Sequence, residues 1–184
     1  MKKCDWMTSE EMIVYHDQEW GKPVHDDAIL FEFLILEGMQ AGLSWSTILK
    51  RRETMREAFD NFNPHSIKEY DDKKVASLMS NNGVIKNRLK LQALAVNARC
   101  FLEVQREYGN FSKYLWGFVN NKTIVNDIET VKDTPVVTEE SIALSKSLVS
   151  KGFKFVGPTI CYAYMQAVGL VDDHINSCPF KSRK

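Results

Sequence analysis

Apolar residues recur at helical spacing through most of the chain, and short capping signals separate one such segment from the next. This punctuation predicts an all-α fold of many helices of moderate length. Thr8 with Glu11 resembles a capping box that opens a short helix through Trp20, broken by Gly21-Lys22-Pro23. Asp26 or Asp27 caps the strongly apolar stretch AILFEFLILEGMQAG, and Ser44 caps the next helix, through about Phe59. Asn63-Pro64 opens another with proline in its first position, and Asp71-Asp72 begins one that ends at Asn81-Asn82-Gly83. A long helix is expected from about Ile85 to Tyr108. After Trp116 the stretch VNNKTIVNDIETVKDTPVV is rich in β-branched residues and has no helical period, which suggests an extended connection or a short hairpin. Helices resume at about Thr138–Ser150 and Pro158–Val168.

A chain of 184 residues is long enough to bury a core, as one domain or as one domain with a smaller lobe. No apolar run reaches roughly 18 residues, and MKKCDWMTSEEM has charge without an apolar core, so a membrane span and a secretory signal are not expected. The cytoplasm is the expected compartment. The 24 basic and 24 acidic residues cancel, whereas a protein that holds nucleic acid mainly by charge is usually more basic. Local basic clusters exist: Lys50, Arg51 and Arg52; Lys86, Arg88 and Lys90; Lys151 and Lys154; Lys181, Arg183 and Lys184. Each reads as a solvated face.

The four cysteines are expected to be thiols or metal ligands. Cys100 shares an apolar stripe with Leu89, Ala93, Val96 and Val104, and Cys161 one with Ile160, Tyr164, Met165 and Val168, so both read as small core residues. Cys4 and Cys178 lie near the two ends, outside the long apolar helices. In DDHINSC, three residues separate His174 from Cys178, a metal-ligand interval that needs further ligands from elsewhere. His25 and His65 have no cysteine at useful spacing and read as surface residues.

Two further features carry possible chemistry. In SIALSKSLVSKGFKFVGPTICYAYMQAVG, two amphipathic helices are joined by a turn in which Gly152 suits the C′ position and Gly157-Pro158 suits a helix start. Unpaired first-turn amides beside a residue without a side chain leave room for a phosphate, although spacing alone favours an ordinary αα-turn. In the apolar helix, Glu37 falls on the same face as Leu30, Phe33, Leu34 and Ala41. A carboxylate on a core stripe is costly unless partnered, and so points either to function, to a local backbone bond, or to an end that reaches solvent. Trp45 follows closely, and Trp6, Tyr15 and Trp20 add rings that suit a flipped base or a plain core equally.

Six stretches together resemble the DNA-3-methyladenine glycosylase I family: YHDQEWG (15–21), LEGMQAGLSW (36–45), NNGVIKNRLKLQA (81–93), LWGFVN (115–120), GFKFVGPTICYAYMQAVGLV (152–171) and the terminal His-x3-Cys. They occur in family order and cover nearly the whole chain. The resemblance implies a helix-hairpin-helix DNA glycosylase fold as a single unit over 1–184. Within it, a helical core would span 21–170, with the hairpin at about 139–168, and residues 1–20 and 171–184 would form a terminal region joined by metal. It implies one structural zinc held by Cys4, His16, His174 and Cys178, a closed tetrahedral shell. It maps the base pocket onto Glu37, Tyr15 and Trp45, with Glu37 as the catalytic residue and Trp6 and Trp20 completing the wall. Gln40 and Leu43 would fill the gap left by the flipped nucleotide, while Gly157 and Lys154 would meet the DNA strand. Asp172 sits where the wider helix-hairpin-helix glycosylases carry a catalytic aspartate, and also beside His174. The implied activity is hydrolysis of the N-glycosidic bond of 3-methyladenine in double-stranded alkylated DNA. Free 3-methyladenine would be the product and the working form a monomer; a non-catalytic, zinc-stapled binder of alkylated DNA is the rival.

Overall fold

The computed structural model describes residues 3–182, and Arg183 and Lys184 of the C-terminal basic cluster lie outside them. Among the described residues the fold is all-α apart from one two-stranded sheet. Helix α1 spans Glu10–Gln18 and is capped by Ser9, whose Oγ accepts from the Met12 amide. The cap is therefore Ser9 rather than Thr8, whose hydroxyl turns instead to the Met12 sulfur, and the helix stops two residues before Trp20.

Helix α2 (Asp27–Gln40) is buried from Leu30 through Met39. An element with apolar residues on every face must sit inside, and it is packed on several sides by later helices. Asp26 caps it through the Ala28 and Ile29 amides. Asp27, one residue on, reaches elsewhere, and its carboxylate accepts from the Phe111 and Ser112 amides at 2.7 and 2.8 Å. It thereby satisfies the first amides of α7 (Phe111–Trp116), a short helix with Asn110 as its N-cap that the sequence pattern does not separate from its surroundings.

Ser44 caps α3 (Trp45–Ala58), Pro64 opens α4 (Pro64–Ile67), and Asp71 caps α5 (Asp72–Ser80), each as the sequence suggests. The long helix α6 (Arg88–Tyr108) starts later than expected because Asn87, not a residue near Ile85, supplies the cap. It carries two departures from the expected pattern. Lys90, expected on a solvated face, is buried, at 5 % exposure. Cys100 is only partly buried, and Leu89 of its supposed stripe is 69 % exposed.

The segment after Trp116 is neither a bare connection nor a hairpin. Its strand β1 (Ile124–Val125) pairs in parallel with β2 (Val171–Asp172), which comes from beyond the last helix. Parallel pairing needs a long crossover, and here that crossover is the pair α8 (Glu139–Ser150) and α9 (Pro158–Ala167). The two helices pack closely on each other and α9 packs on α2. The sheet thus fixes where residues 171–178 run, beside Cys4. No helix among the described residues is long and apolar enough to cross a membrane.

Candidate active site and metal centre

A cavity of about 240 Å³ opens between α1, α2, the start of α3 and α9. Trp6, Tyr15, Trp20 and Trp45 line it, together with Glu37, Gln40 and Asp173. The rings form a continuous wall: Trp6 meets Trp20 edge to face at 5.1 Å between centroids, and Tyr15 meets Trp45 at 5.3 Å. Such tilted contacts are favourable for aromatic pairs and leave ring faces free for a guest.

Glu37 sits in this apolar cup, 4 % exposed. The last turns of α2 place it there, and Gly38 beside it faces Phe155, whose Cβ would lie 3.6 Å from a Cβ on the glycine. Burial alone raises its carboxyl to about pKa 8, and no hydrogen bond from any described residue lowers it. An acid with that environment in an open cavity fits a role better than a fold contribution, because burying it unpartnered costs stability. Tyr15 is also buried, and its phenol is pushed well above the ordinary range, first by burial and then by the Glu37 charge. The indole Nε1 of Trp6 and that of Trp45 are buried without a partner. The cavity therefore offers a carboxylate and flat apolar faces to whatever fills it.

Asp173 is a part of the cavity lining that the sequence does not single out. It is buried and its carboxylate accepts from Asn126 Nδ2, the Tyr162 hydroxyl and Gln166 Nε2, all at 2.7 Å. The next residue back, Asp172, does not line the cavity. Its Oδ1 takes the His174 amide at 3.0 Å and lies 2.7 Å from His174 Nδ1, and its Oδ2 accepts from the Ser182 amide. Burial opposes its charge, but these donors outweigh that and hold its carboxyl down at about 2. Of the two roles open to Asp172 in the sequence, the orienting one matches this geometry.

Behind the aromatic wall, Cys4, His16 and Cys178 bring their ligand atoms within 4.8 Å of one another. Tyr15 and His16 are neighbours on α1, one serving the cavity and the other this group. His174 stands beside the three rather than within that radius, its ring 4.7 Å from that of His16. Its Nδ1 is engaged by Asp172, and its Nε2 is buried with no partner. His16 is arranged alike, with Nδ1 2.7 Å from Asp17 Oδ1 and Nε2 3.6 Å from the Cys178 sulfur. Carboxylates that hold one imidazole nitrogen and leave the other for a metal are the usual outer shell of a zinc site. Burial pushes the Cys4 thiol up to about 11 and His16 toward the neutral form, so without a cation the Cys4 thiol stays protonated. A divalent ion would reverse that for sulfur and use the neutral imidazole as it stands. Gly21, at φ +73°, makes room: a Cβ there would come within 2.9 Å of the His174 ring.

The remaining expected residues lie on two turns. Gln40 ends α2 and lines the cavity, while Leu43 is 41 % exposed in the turn to α3, where Gly42 adopts φ +81°. Gly157 is the N-cap of α9, and a Cβ on it would meet nothing within 4 Å. Lys154 is exposed in the same turn, whereas Lys151 is drawn to Glu107 at 2.6 Å.

The chain matches the sequence profile described as methyladenine glycosylase over residues 6–182. It is 48 % identical over 181 residues to the DNA-3-methyladenine glycosylase of Haemophilus influenzae, covering 98 % of each chain. To DNA-3-methyladenine glycosylase 1 of Escherichia coli it is 44 % identical, covering 97 % of this chain and 96 % of that one. Among solved structures, it superposes on a 3-methyladenine DNA glycosylase I with TM-score 0.95 at 43 % identity, covering 98 % of this chain and 100 % of that one. A tyrosine-to-phenylalanine variant of 3-methyladenine DNA glycosylase I, in complex with 3-methyladenine, superposes with TM-score 0.96 at 36 % identity, covering 100 % and 99 %. With its sequence and its fold matched along almost its entire length, this chain belongs to the methyladenine glycosylase family.

Proposed function

We propose that this protein is a DNA-3-methyladenine glycosylase that takes a 3-methyladenine nucleotide out of double-stranded DNA into the cavity and hydrolyses its N-glycosidic bond. The observation that carries the reading is Glu37, a buried and unpartnered carboxylate among four aromatic rings in an open cavity. The exocyclic amine of adenine donates to a carboxylate, whereas guanine presents a carbonyl on that side. Tyr15 adds a polar contact to the base edge, Trp45 a stacking face, and Trp6 and Trp20 the rest of the wall.

In the alkylated nucleotide the base is already cationic. The C1′–N bond breaks with its electron pair going to the base, which leaves neutral, and the sugar becomes oxocarbenium-like. Water then adds at C1′ and loses a proton, giving an abasic site. Such a leaving group needs modest help, and negative charge from Asp173, and from Glu37 once it ionises, favours binding of the cationic base and the developing sugar cation. No lysine nucleophile takes part.

Around this pocket, α8, the Lys151–Gly157 turn and α9 serve as a helix-hairpin-helix that binds a phosphate at the Gly157 amides, with Lys154 nearby. Gln40 and Leu43 enter the space vacated by the flipped nucleotide. Few basic side chains are needed for that grip, which reconciles DNA binding with zero net charge. Cys4, His16, His174 and Cys178 hold one zinc, a structural ion that ties residues 1–20 to 171–184. The protein acts as a monomer. Purified protein should release free 3-methyladenine from methylated duplex DNA, with products separated by chromatography. DNA bound tightly with no base released would leave the non-catalytic binder instead.

A further inference from the structure

Two polar side chains on the core-facing side of α6 are buried outside the cavity, and neither takes part in the chemistry above. Lys90, at 5 % exposure, donates from Nζ to the Met39 and Ala41 carbonyls at 2.8 and 2.6 Å. Those are final carbonyls of α2, which lack intrahelical partners, so Lys90 closes the end of α2 where the Gln40–Leu43 turn begins. Asn97, also at 5 % exposure, donates from Nδ2 to the Lys154 carbonyl at 3.1 Å and accepts from the Lys154 amide at 2.8 Å. It grips both backbone groups of one residue in the turn between α8 and α9. The residue after it, Phe155, is held at φ +57°, a conformation that L side chains rarely adopt and that surrounding contacts must enforce.

The two side chains are seven residues apart, hence on one face of the helix and about 10 Å apart along its axis. Phe155 ties the arrangement together. Lys90 Nζ stands 6.0 Å from its ring centroid, and a Cβ on Gly38 of α2 would lie 3.6 Å from the Phe155 Cβ. A buried lysine is costly and burial lowers its pKa, so its retention needs a return that an apolar residue would not give. Both turns are joined to the same rigid rod.

We propose that Lys90 and Asn97 are positioning residues that set the separation between the Gln40–Leu43 turn and the Lys151–Gly157 turn, so that both engage one stretch of DNA together. The proposal rests on the assignment of both turns to DNA contact. Geometry fixed in the free protein removes an ordering cost from binding, and a rod that spans both sites does so without touching DNA.

The test uses the zinc-bound protein, duplex DNA containing a tetrahydrofuran abasic-site analogue, and free 3-methyladenine. Lys90→Met and Asn97→Ala should each bind the DNA roughly three- to thirty-fold more weakly, as expected for network residues that contact neither ligand. Affinity for free 3-methyladenine should stay within about twofold, since Glu37 and the four rings that hold the base bond to neither Lys90 nor Asn97, and only Gln40 of the cavity lining belongs to either turn. The double variant should lose less than the product of the two single losses, because freeing either turn already destroys the shared spacing. Losses that multiply would mean two independent local caps, and an equal loss of free-base binding would mean general loosening; either overturns the proposal. Asn97→Asp keeps the acceptor for the Lys154 amide and removes the donor to its carbonyl, and gives the same comparison if Asn97→Ala does not fold. Leu43→Ala and Gly157→Asp separate the two assumptions. If they bind the DNA as wild type does, the assignment of the turns fails and the proposal with it. If they bind weakly while Lys90→Met and Asn97→Ala bind normally, only the positioning role fails.

Discussion

Trp20 meets His174 edge to face, with 4.6 Å between ring centroids, so one indole is shared between the cavity wall and the histidine that stands beside Cys4, His16 and Cys178. Trp6 repeats the pattern, lining the cavity while standing 5.5 Å from His16. Whatever fixes the two histidines therefore also fixes two of the four rings. A metal held by these residues would therefore brace the cavity wall without entering the proposed chemistry.

The first prediction follows from that shared wall. Purified protein should hold about one zinc per chain, a closed site of the structural kind. Cys178→Ala should lose the metal and lower Tm by about 10 °C, given 2–4 °C per kcal/mol for a chain of this size. Free 3-methyladenine should bind a few-fold more weakly in this variant, since Trp20 and Trp6 lose their backing. Elemental analysis, calorimetry and base titration check the three parts. Protein purified without chelator and found free of tightly bound metal would refute it.

Asp172 gives a second, more selective test. Its carboxylate holds His174 and the Ser182 amide and does not line the cavity. Asp172→Asn should weaken zinc affinity by roughly 10- to 100-fold, the usual effect of removing an outer-shell carboxylate. With zinc in excess, the rate of base release should match wild type. A large rate loss in zinc-saturated variant would return Asp172 to a catalytic role.

Glu37 predicts opposite effects on stability and on function. Its carboxyl is raised by burial from 4.5 to about 8 in the empty site. The folded state therefore binds more protons than the unfolded state between those values, and stability falls as pH rises across that window. The cost approaches its full value above about pH 8, at roughly 1.4 kcal/mol for each tenfold weakening of the acid. Glu37→Gln removes the charge, so thermal denaturation should show a flatter pH profile and a higher Tm at alkaline pH. The ionised form is the one that accepts from the base, so release of 3-methyladenine, corrected for spontaneous loss, should rise with pH toward 8. In Glu37→Gln that limb should vanish and free-base binding should weaken by roughly 1–3 kcal/mol, the cost of unpairing a buried charged hydrogen bond. A variant that binds and excises as well as wild type would reduce Glu37 to a structural acid.

The helices were legible because caps are local: Asp26, Ser44, Asp71 and Thr138 each bond amides two or three residues ahead. What the sequence hid was set by distant partners. Asp27 accepts from the first amides of a helix over 80 residues away, Phe111 and Ser112. Strand β1 gains its regularity only from residues 171–172. Lys90 sits in a run of basic residues, and nothing local tells that its ammonium turns inward to α2. Glu37 was visible because it broke the apolar stripe of its own helix. Asp173 was not, because its neighbour Asp172 has the same chemistry, and only the course of the strand decides which of the two faces the cavity.

The last prediction concerns Gly157, where fold and DNA binding should again respond with opposite sign. This residue is the N-cap of α9 with φ −63° and ψ 163°, an ordinary extended conformation that any residue can adopt. A Cβ there meets nothing within 4 Å, so a side chain is accepted by the fold. Aspartate is among the preferred N-cap residues, and replacing glycine by it is worth a few tenths of a kcal/mol to the helix. Gly157→Asp should therefore fold normally, with Tm unchanged or slightly higher. The same carboxylate would occupy the first-turn amides and repel a phosphate that approached them. Binding to abasic-site DNA should weaken by about tenfold or more, with the slope of log affinity against log salt reduced by about one. Affinity for free 3-methyladenine should not change, since the turn lies outside the cavity lining. Calorimetry, a salt series of DNA titrations and free-base titration read these three quantities on one protein preparation. DNA affinity equal to wild type in a well-folded variant would show that the α8–α9 turn is an ordinary helix connection and that the strand is held elsewhere.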